Sequence, residues 1–407
     1  MTTAVPSREG QDISTPLILA LALLSVTPPI ATDLYLASFP EMQSGLSTDT
    51  SHIQLTLTAF LVGLGLGQLL WGPLSDRVGR WWPMFAGTLL AVVASAVTVI
   101  APDVEVLIGA RFVQALASAA GLVIGRAVIS DLSTGYRATH ALSLMMTING
   151  IGPVAAPVVG GLLAGHVPWR GVLAVILAVM AAQWLGVLGV VRESLPPERR
   201  AARLSYASLV VVARRPSYLL HALAMALSFG VLMTYISSSS FVYQNVLGLP
   251  GWAFGVGFGV NSVGIVIAGV VSTRLARHRV HPAHTVRRAL PFLLGGTILV
   301  LASALSPWPV LLLGPLLMVT CAFGFLTGNL TALAMQQARD HAGAGSAVIG
   351  GLQFLVGGIV SPLGGLAGDD TAVPMGVVML GAALLCGGCF VLARQVVSPA
   401  SETAFAS

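Results

Sequence analysis

Asp33 and Arg111 are charged side chains set inside long apolar stretches, near 16–39 and 105–127. A charge at the centre of a membrane helix costs roughly 2.5–3.5 kcal/mol on insertion scales, so each should face protein or a watery cavity. Burial favours the protonated form of a carboxyl, and a nearby cation favours the ionised form. An acid poised between the two can take up and release a proton, which is the chemistry of proton coupling. Asp33 lies about seven residues before the end of its predicted helix and Arg111 about six after the start of its own. At 1.5 Å per residue both sit about 10 Å deep from the same side. Arg111, Gln114 and Ser118 share one helical face at spacing i, i+3, i+7. A mobile Asp33–Arg111 interaction would let proton and substrate compete. A structural ion pair, or an Asp33 nearer the interface, is the other reading of the same residues.

A second group of charges stands in GPLSDRVGR, residues 72–80, read here as a loop between two apolar runs. Gly72 and Gly79 permit close helix approach and a tight turn. Asp76 is expected to satisfy exposed N–H groups at a helix N-terminus, where the dipole favours an anion. Arg77, Arg80, Arg126 and Asp131 are expected at the same face, with Arg80 and Asp131 forming contacts that break when that face opens; anchoring of topology is the plainer alternative. Polar residues at spans or span ends are candidates for lining a cavity: Tyr35, Gln114, Asn149, Tyr235, Gln244, Asn245, Asn261, Asn329 and Gln353. His278, His281 and His284 are spaced like metal ligands but lie in a basic segment and read as solvated loop residues. Cys386-Gly-Gly-Cys389 reads as small-residue packing within a span rather than a redox pair. No metal or cofactor site is expected.

These groups need helices in lipid to hold them. The chain has 407 residues, 56% hydrophobic and only 9% charged, with a mean hydropathy of +0.88. A soluble domain carries about a quarter of its residues charged. In lipid every backbone polar group must be paired internally, by helices or by a closed barrel. The apolar stretches run to about 20 residues without period-two alternation, enough for a helix across a ~30 Å hydrocarbon core. The expectation is an all-α polytopic membrane protein of twelve transmembrane helices, near 16–39, 52–73, 82–101, 105–127, 139–164, 171–191, 218–242, 252–273, 289–305, 309–333, 345–366 and 373–393. The first run is too long for a cleavable signal peptide.

All 20 basic residues are arginine, which excludes a lysine-bearing phosphate loop and lysine Schiff-base chemistry. With the N-terminus inside, every arginine but Arg111 and Arg170 falls in a cytoplasmic segment. Both termini are then cytoplasmic, and the net charge of +5 reflects topology rather than nucleic-acid binding.

The longest polar segment, 192–217, divides the chain into a six-helix half at 1–191 and another at 218–407. GPLSDRVGR (72–80) aligns without a gap with GVVSTRLAR (269–277), and PVVGGLLAG (157–165) echoes SPLGGLAG (361–368). Pseudo-symmetric halves mark a transporter that rocks about a midplane site. The strings GLGLG (63–67) and GVGFG (255–259) occupy equivalent helices and serve close helix packing.

GPLSDRVGR resembles the loop signature of the major facilitator superfamily. ATDLYLASFP (31–40) and ARFVQALASAAGLVIGRAVISDL (110–132) resemble the first and fourth helices of its bicyclomycin-resistance type drug:proton antiporters. APVVGGLLAG (156–165) is similar to their fifth-helix signature. The resemblance spans the chain. It implies the major facilitator fold, proton-coupled efflux of small amphiphilic or antibiotic-like compounds across the cytoplasmic membrane, and a monomer that needs no ATP. It assigns Asp76 and its neighbours to an inner gate. It assigns Gly152, Pro153, Pro157, Gly160 and Gly161 to a helix that governs antiport and limits proton leak, with tight packing as the alternative. Ala37 and Ala156 depart from the signatures. Ser25, Val26 and Thr27 stand where some related exporters carry a second acid, so one titrating acid is expected. A transporter of one native metabolite is the nearest rival, and a non-transporting sensor or scaffold a rival of another class. No nucleophile–base constellation suggests an enzyme.

Overall fold

Eleven helices among the described residues are long and apolar enough to cross a membrane, and a shorter apolar helix, Ile151–Leu163, stands where the fifth span is expected. The computed structural model describes residues 14–132, 145, 151–200, 206–366, 368 and 370–396. The first half holds α1 (Thr15–Ser25), α2 (Thr27–Asp33), α3 (Phe39–Gly45), α4 (Thr50–Val78), α5 (Trp81–Ile100) and α6 (Val104–Leu132). It ends with α7 (Ile151–Leu163) and α8 (Trp169–Val190). A short linker helix, α9 (Ala207–Ala213), precedes α10 (Pro216–Phe241), α11 (Gly251–Arg277), α12 (Pro282–Ala304), α13 (Leu313–Gln336), α14 (Ala342–Val360) and α15 (Val373–Val396). Asn149 lies outside the described residues.

The helices outrun the apolar segments that predict them. Hydropathy stops at the first charges, but the backbone keeps its hydrogen-bonded helix past the hydrocarbon. The clearest correction concerns Gly72–Val78, expected as loop: it forms the last two turns of α4, with Pro73 inside the helix, and only Gly79 and Arg80 turn the chain into α5. Carboxylates hold two helix starts. Asp49 accepts the His52 N–H at 2.8 Å ahead of α4, and Asp103 accepts the Val106 N–H at 2.8 Å ahead of α6.

The first span is broken twice. Pro28 and Pro29 bring no N–H to the helix and end α1 near Val26. The Thr27 hydroxyl donates to the Leu24 carbonyl at 2.8 Å, and Gln183 of α8 donates to the Leu23 carbonyl at 2.8 Å, so two of the acceptors at this helix end are satisfied by side chains. After Asp33 the chain passes through a 3-10 turn, Leu36–Ser38, into α3.

Glycines set how closely the halves meet. Cβ atoms at Gly63 and Gly67 would strike α6 backbone at Phe112 and Leu116, whereas one at Gly65 would meet Gly351 and Phe354 of α14. One face of GLGLG therefore packs its own half and the other packs the partner half. Gly255 and Gly259 of GVGFG lie against Pro157, Gly161 and Val158 of α7. The close-packing reading of both strings holds.

Candidate functional site

Asp33 ends α2 and is 4% exposed. Its Oδ1 lies 2.7 Å from the Thr32 hydroxyl, which is also 2.8 Å from the Pro28 carbonyl. That hydroxyl has one proton and can donate to only one of the two at a time. No cation stands within 4 Å of Asp33 among the described residues.

Arg111 is fully buried on α6. Its guanidinium lies between the rings of Tyr35 and Phe60, 4.4 Å from each centroid. Nη1 donates to Gln114 Oε1 at 2.7 Å and Nη2 to the Ala31 carbonyl at 2.5 Å; Nε has no hydrogen-bond partner among the described residues. The depth argument thus brings Arg111 to the turn that carries Asp33. In this structure, however, it holds the carbonyl two residues away rather than the carboxylate. The reason is local: α2 ends at Asp33, and the break in the span leaves the Ala31 carbonyl free to accept.

Tyr35 is buried, with its hydroxyl 3.1 Å from Thr56 Oγ1. In the second half Asn261 donates to the Tyr235 hydroxyl at 2.8 Å and to the Tyr243 hydroxyl at 3.2 Å. α10 and α11 both pack on the 3-10 turn Leu36–Ser38 that follows Asp33, so the two halves meet here. Asn329, grouped with these in the sequence, is elsewhere. It ties α13 to the end of α11 by donating to Ser272 Oγ and to the Phe325 carbonyl, both at 2.7 Å. Gln353 is half-buried on α14.

On the face away from the arginines the halves are sealed above this site. Gln54 donates to the Ser237 carbonyl at 3.3 Å, Ser51 to the Gly365 carbonyl at 3.2 Å, and Gln244 to the Ala37 carbonyl at 3.1 Å. Phe39 and Phe241 rings pack at 5.9 Å. Gly160 lies against the Leu34 carbonyl, Gly161 against the Gly251 carbonyl and Gly255, and Gly152 against Pro29. The glycines of α7 therefore clamp the Asp33 segment and reach the second half. On the arginine-rich face a cavity of about 360 Å³ separates Gln68, Asp76 and Arg126 from Ser208, Gly343 and Ser346.

The charges bordering that cavity are organised by Arg80 and Glu193. Arg80 is 7% exposed. It donates to Asp131 Oδ2 at 2.9 Å, to Asp76 Oδ1 at 2.5 Å and to Ser75 Oγ at 2.8 Å. Asp76 thus pairs with an arginine of its own half instead of capping a helix. The acid that accepts the free N–H groups at the start of α5 is Glu193, which takes the Arg80 N–H at 2.8 Å and the Trp81 N–H at 3.3 Å. Partial burial works against its charge, but the N–H groups of Arg80, Leu195 and Trp81, with the Arg200 charge, hold its carboxyl below the usual range. Gly79, with φ +110°, makes the turn and leaves room for the Glu193 carboxylate. Arg77 is exposed. Sequence reasoning missed Glu193, beside an apolar run, and Gln54 and Gln183, inside two others, with no periodic signal to mark them.

Comparison with known proteins agrees with this architecture. A sequence model of the Major Facilitator Superfamily matches residues 21–362. The chain is 32% identical over 371 residues to the uncharacterized MFS-type transporter YdgK of Bacillus subtilis, covering 90% of this chain and 92% of that one. It is 29% identical to the bicyclomycin resistance protein homolog of Haemophilus influenzae (88% and 91% covered) and 26% identical to multidrug resistance protein D of Escherichia coli (92% and 94%). Its fold matches the nucleoside transporter NupG at a TM-score of 0.70 and 14% identity (94% and 100% covered). It also matches an inward-facing, unoccupied bacterial homologue of the lysosomal transporter Spinster at 0.70 and 14% (96% and 100%). The charged turn at the end of α4, the twelve-helix plan and these similarities agree: the chain is a multi-pass membrane transporter belonging to the Major Facilitator Superfamily, and not an enzyme.

Proposed function

We propose that the protein exports small amphiphilic or antibiotic-like compounds across the cytoplasmic membrane in exchange for protons, as a monomer with both termini in the cytoplasm and Asp33 as its proton carrier. The observation that carries this reading is that Asp33 is the only buried acid among the described residues and sits where the first span breaks and the halves meet. Thr32 suits either protonation state. When Asp33 is ionised the Thr32 hydroxyl donates to it; when Asp33 is protonated it donates to Thr32 Oγ1, whose own proton turns to the Pro28 carbonyl. Arg111, held two residues away, reaches the carboxylate by exchanging the Ala31 carbonyl for it.

With the arginine-rich face cytoplasmic, the sealed opposite face and the cavity beside Arg126 correspond to an inward-facing state. Closing that cavity and breaking the Gln54 and Gln244 contacts would expose Asp33 to the other side. A proton entering down ~100 mV releases about 2.3 kcal/mol. At ~1.4 kcal/mol per tenfold, one uncompensated proton sustains roughly a 40-fold gradient of a neutral compound.

The test is drug-induced proton release from energised inverted vesicles, with a panel of antibiotics and cationic dyes, for wild type and Asp33→Asn. Several active compounds, with coupling abolished in the variant, are expected. Full coupling in Asp33→Asn would remove Asp33 from the mechanism. Proton movement with one native metabolite alone would favour a narrow-substrate transporter.

A further inference from the structure

On the outside of the second half, α12 and α15 enclose a furrow of about 710 Å³ that plays no part in the site above. The walls repeat one pattern. Arg287, Leu290, Pro291 and Leu294 follow at i, i+3, i+4, i+7 on α12, and Leu384, Gly387, Gly388, Val391 and Arg394 share one face of α15. Both helices pack on α10, α13 or each other, within their own half. The furrow therefore opens toward lipid.

Its two ends differ chemically. Arg287 lies in the second turn of α12 and Arg394 in the last turn of α15, so both stand at the arginine-rich face. Both are exposed, and no carboxylate among the described residues pairs with either. Ten residues separate Leu384 from Arg394, about 15 Å at 1.5 Å per residue. That is the depth of one leaflet of a ~30 Å hydrocarbon core. The floor is empty of side chains: a Cβ at Gly387 or Gly388 would meet nothing within 4 Å.

We propose that this furrow is a binding site for an anionic phospholipid of the leaflet on the arginine-rich side. Arg287 and Arg394 hold the phosphate, and one acyl chain lies along the Gly387–Gly388 floor between Leu294 and Leu384. Two cations at the polar end of an apolar trough one leaflet deep select charge at the headgroup and accept any chain below it. A zwitterionic lipid fits the trough but carries its own cation to the arginines, so it binds more weakly.

The experiment is native mass spectrometry of the purified full-length protein with equimolar dioleoyl-phosphatidylglycerol and dioleoyl-phosphatidylcholine. Wild type is expected to retain phosphatidylglycerol preferentially. R287Q/R394Q should lower that preference by about 30-fold, as two interfacial arginines are lost. Gly388→Leu, whose Cβ would meet nothing within 4 Å, should reduce retention of both lipids by occupying the trough. Arg192→Gln, in the linker after α8 and not among the residues lining the furrow, should change nothing. Equal retention of the two lipids by wild type would overturn the proposal without need of any variant. So would an undiminished preference in R287Q/R394Q, or an equal loss in Arg192→Gln.

Discussion

Gly160 of α7 lies directly against the Leu34 carbonyl, so close that a Cβ there would overlap the oxygen. Leu34 follows Asp33, so the backbone of α7 sets the position of the buried acid. Gly160→Ala is therefore expected to displace the Asp33 turn and uncouple proton release from drug addition, while Gly189→Ala on α8, with nothing near its Cβ and no positive φ, tests the general effect of substitution in this half. Proton-release assays in inverted vesicles distinguish the two. Unchanged coupling in Gly160→Ala would show that α7 does not position Asp33.

Arg111 offers a different test, because its role depends on shape as well as charge. A planar guanidinium fits between Tyr35 and Phe60 while donating to Gln114 and Ala31. A lysine cannot reproduce that fork. Loss of one charge-assisted hydrogen bond, roughly 1.5–3 kcal/mol, corresponds to about a tenfold or greater fall in drug-driven proton release for Arg111→Lys. Wild-type activity in that variant would mean that charge alone suffices.

The turn after α4 is conformationally demanding. Gly79 has φ +110° and ψ 170°, and a Cβ there would stand 2.5 Å from Glu193 Oε2. Gly79→Ala should cost about 1–3 kcal/mol in backbone strain. It should also push Glu193 off the start of α5. Thermal unfolding of the detergent-purified protein should show a lower midpoint; no change would mean that the turn relaxes freely.

Glu193 gives the arginine-rich face a pH dependence of known sign. Its carboxyl is held below the ordinary value of 4.5. A depressed carboxyl contributes stability above the unfolded value, and that contribution disappears as pH falls through the folded value. Glu193→Gln should therefore unfold at a lower temperature than wild type near pH 7, with the gap closing well below pH 4.5. A gap of constant size would assign the effect to shape rather than charge.

Helix identity was largely legible in the sequence, since continuous apolar runs of span length admit few other structures in lipid. The helix ends were not, as Gly72–Val78 shows: charges mark where lipid stops, whereas a helix stops where backbone hydrogen bonding does. The common depth of Asp33 and Arg111 also followed from the sequence, because helical rise is fixed at 1.5 Å per residue. Their present partners did not. Arg111 holds the Ala31 carbonyl because Pro28, Pro29 and the turn after Asp33 break the first span, and Asn329 faces Ser272 because of how α13 lies on α11.

What the sequence by itself determined about this protein is its solvent, its helical plan and the small set of charges that lipid makes costly. Only the tertiary structure decided which of those charges meet, that Glu193 rather than Asp76 holds the start of α5, and which face is sealed. The physical reason is range: hydropathy and rise are properties of one helix, whereas the Arg80–Asp131, Gln54–Ser237 and Gly160–Leu34 contacts join residues that only the packing of helices brings together.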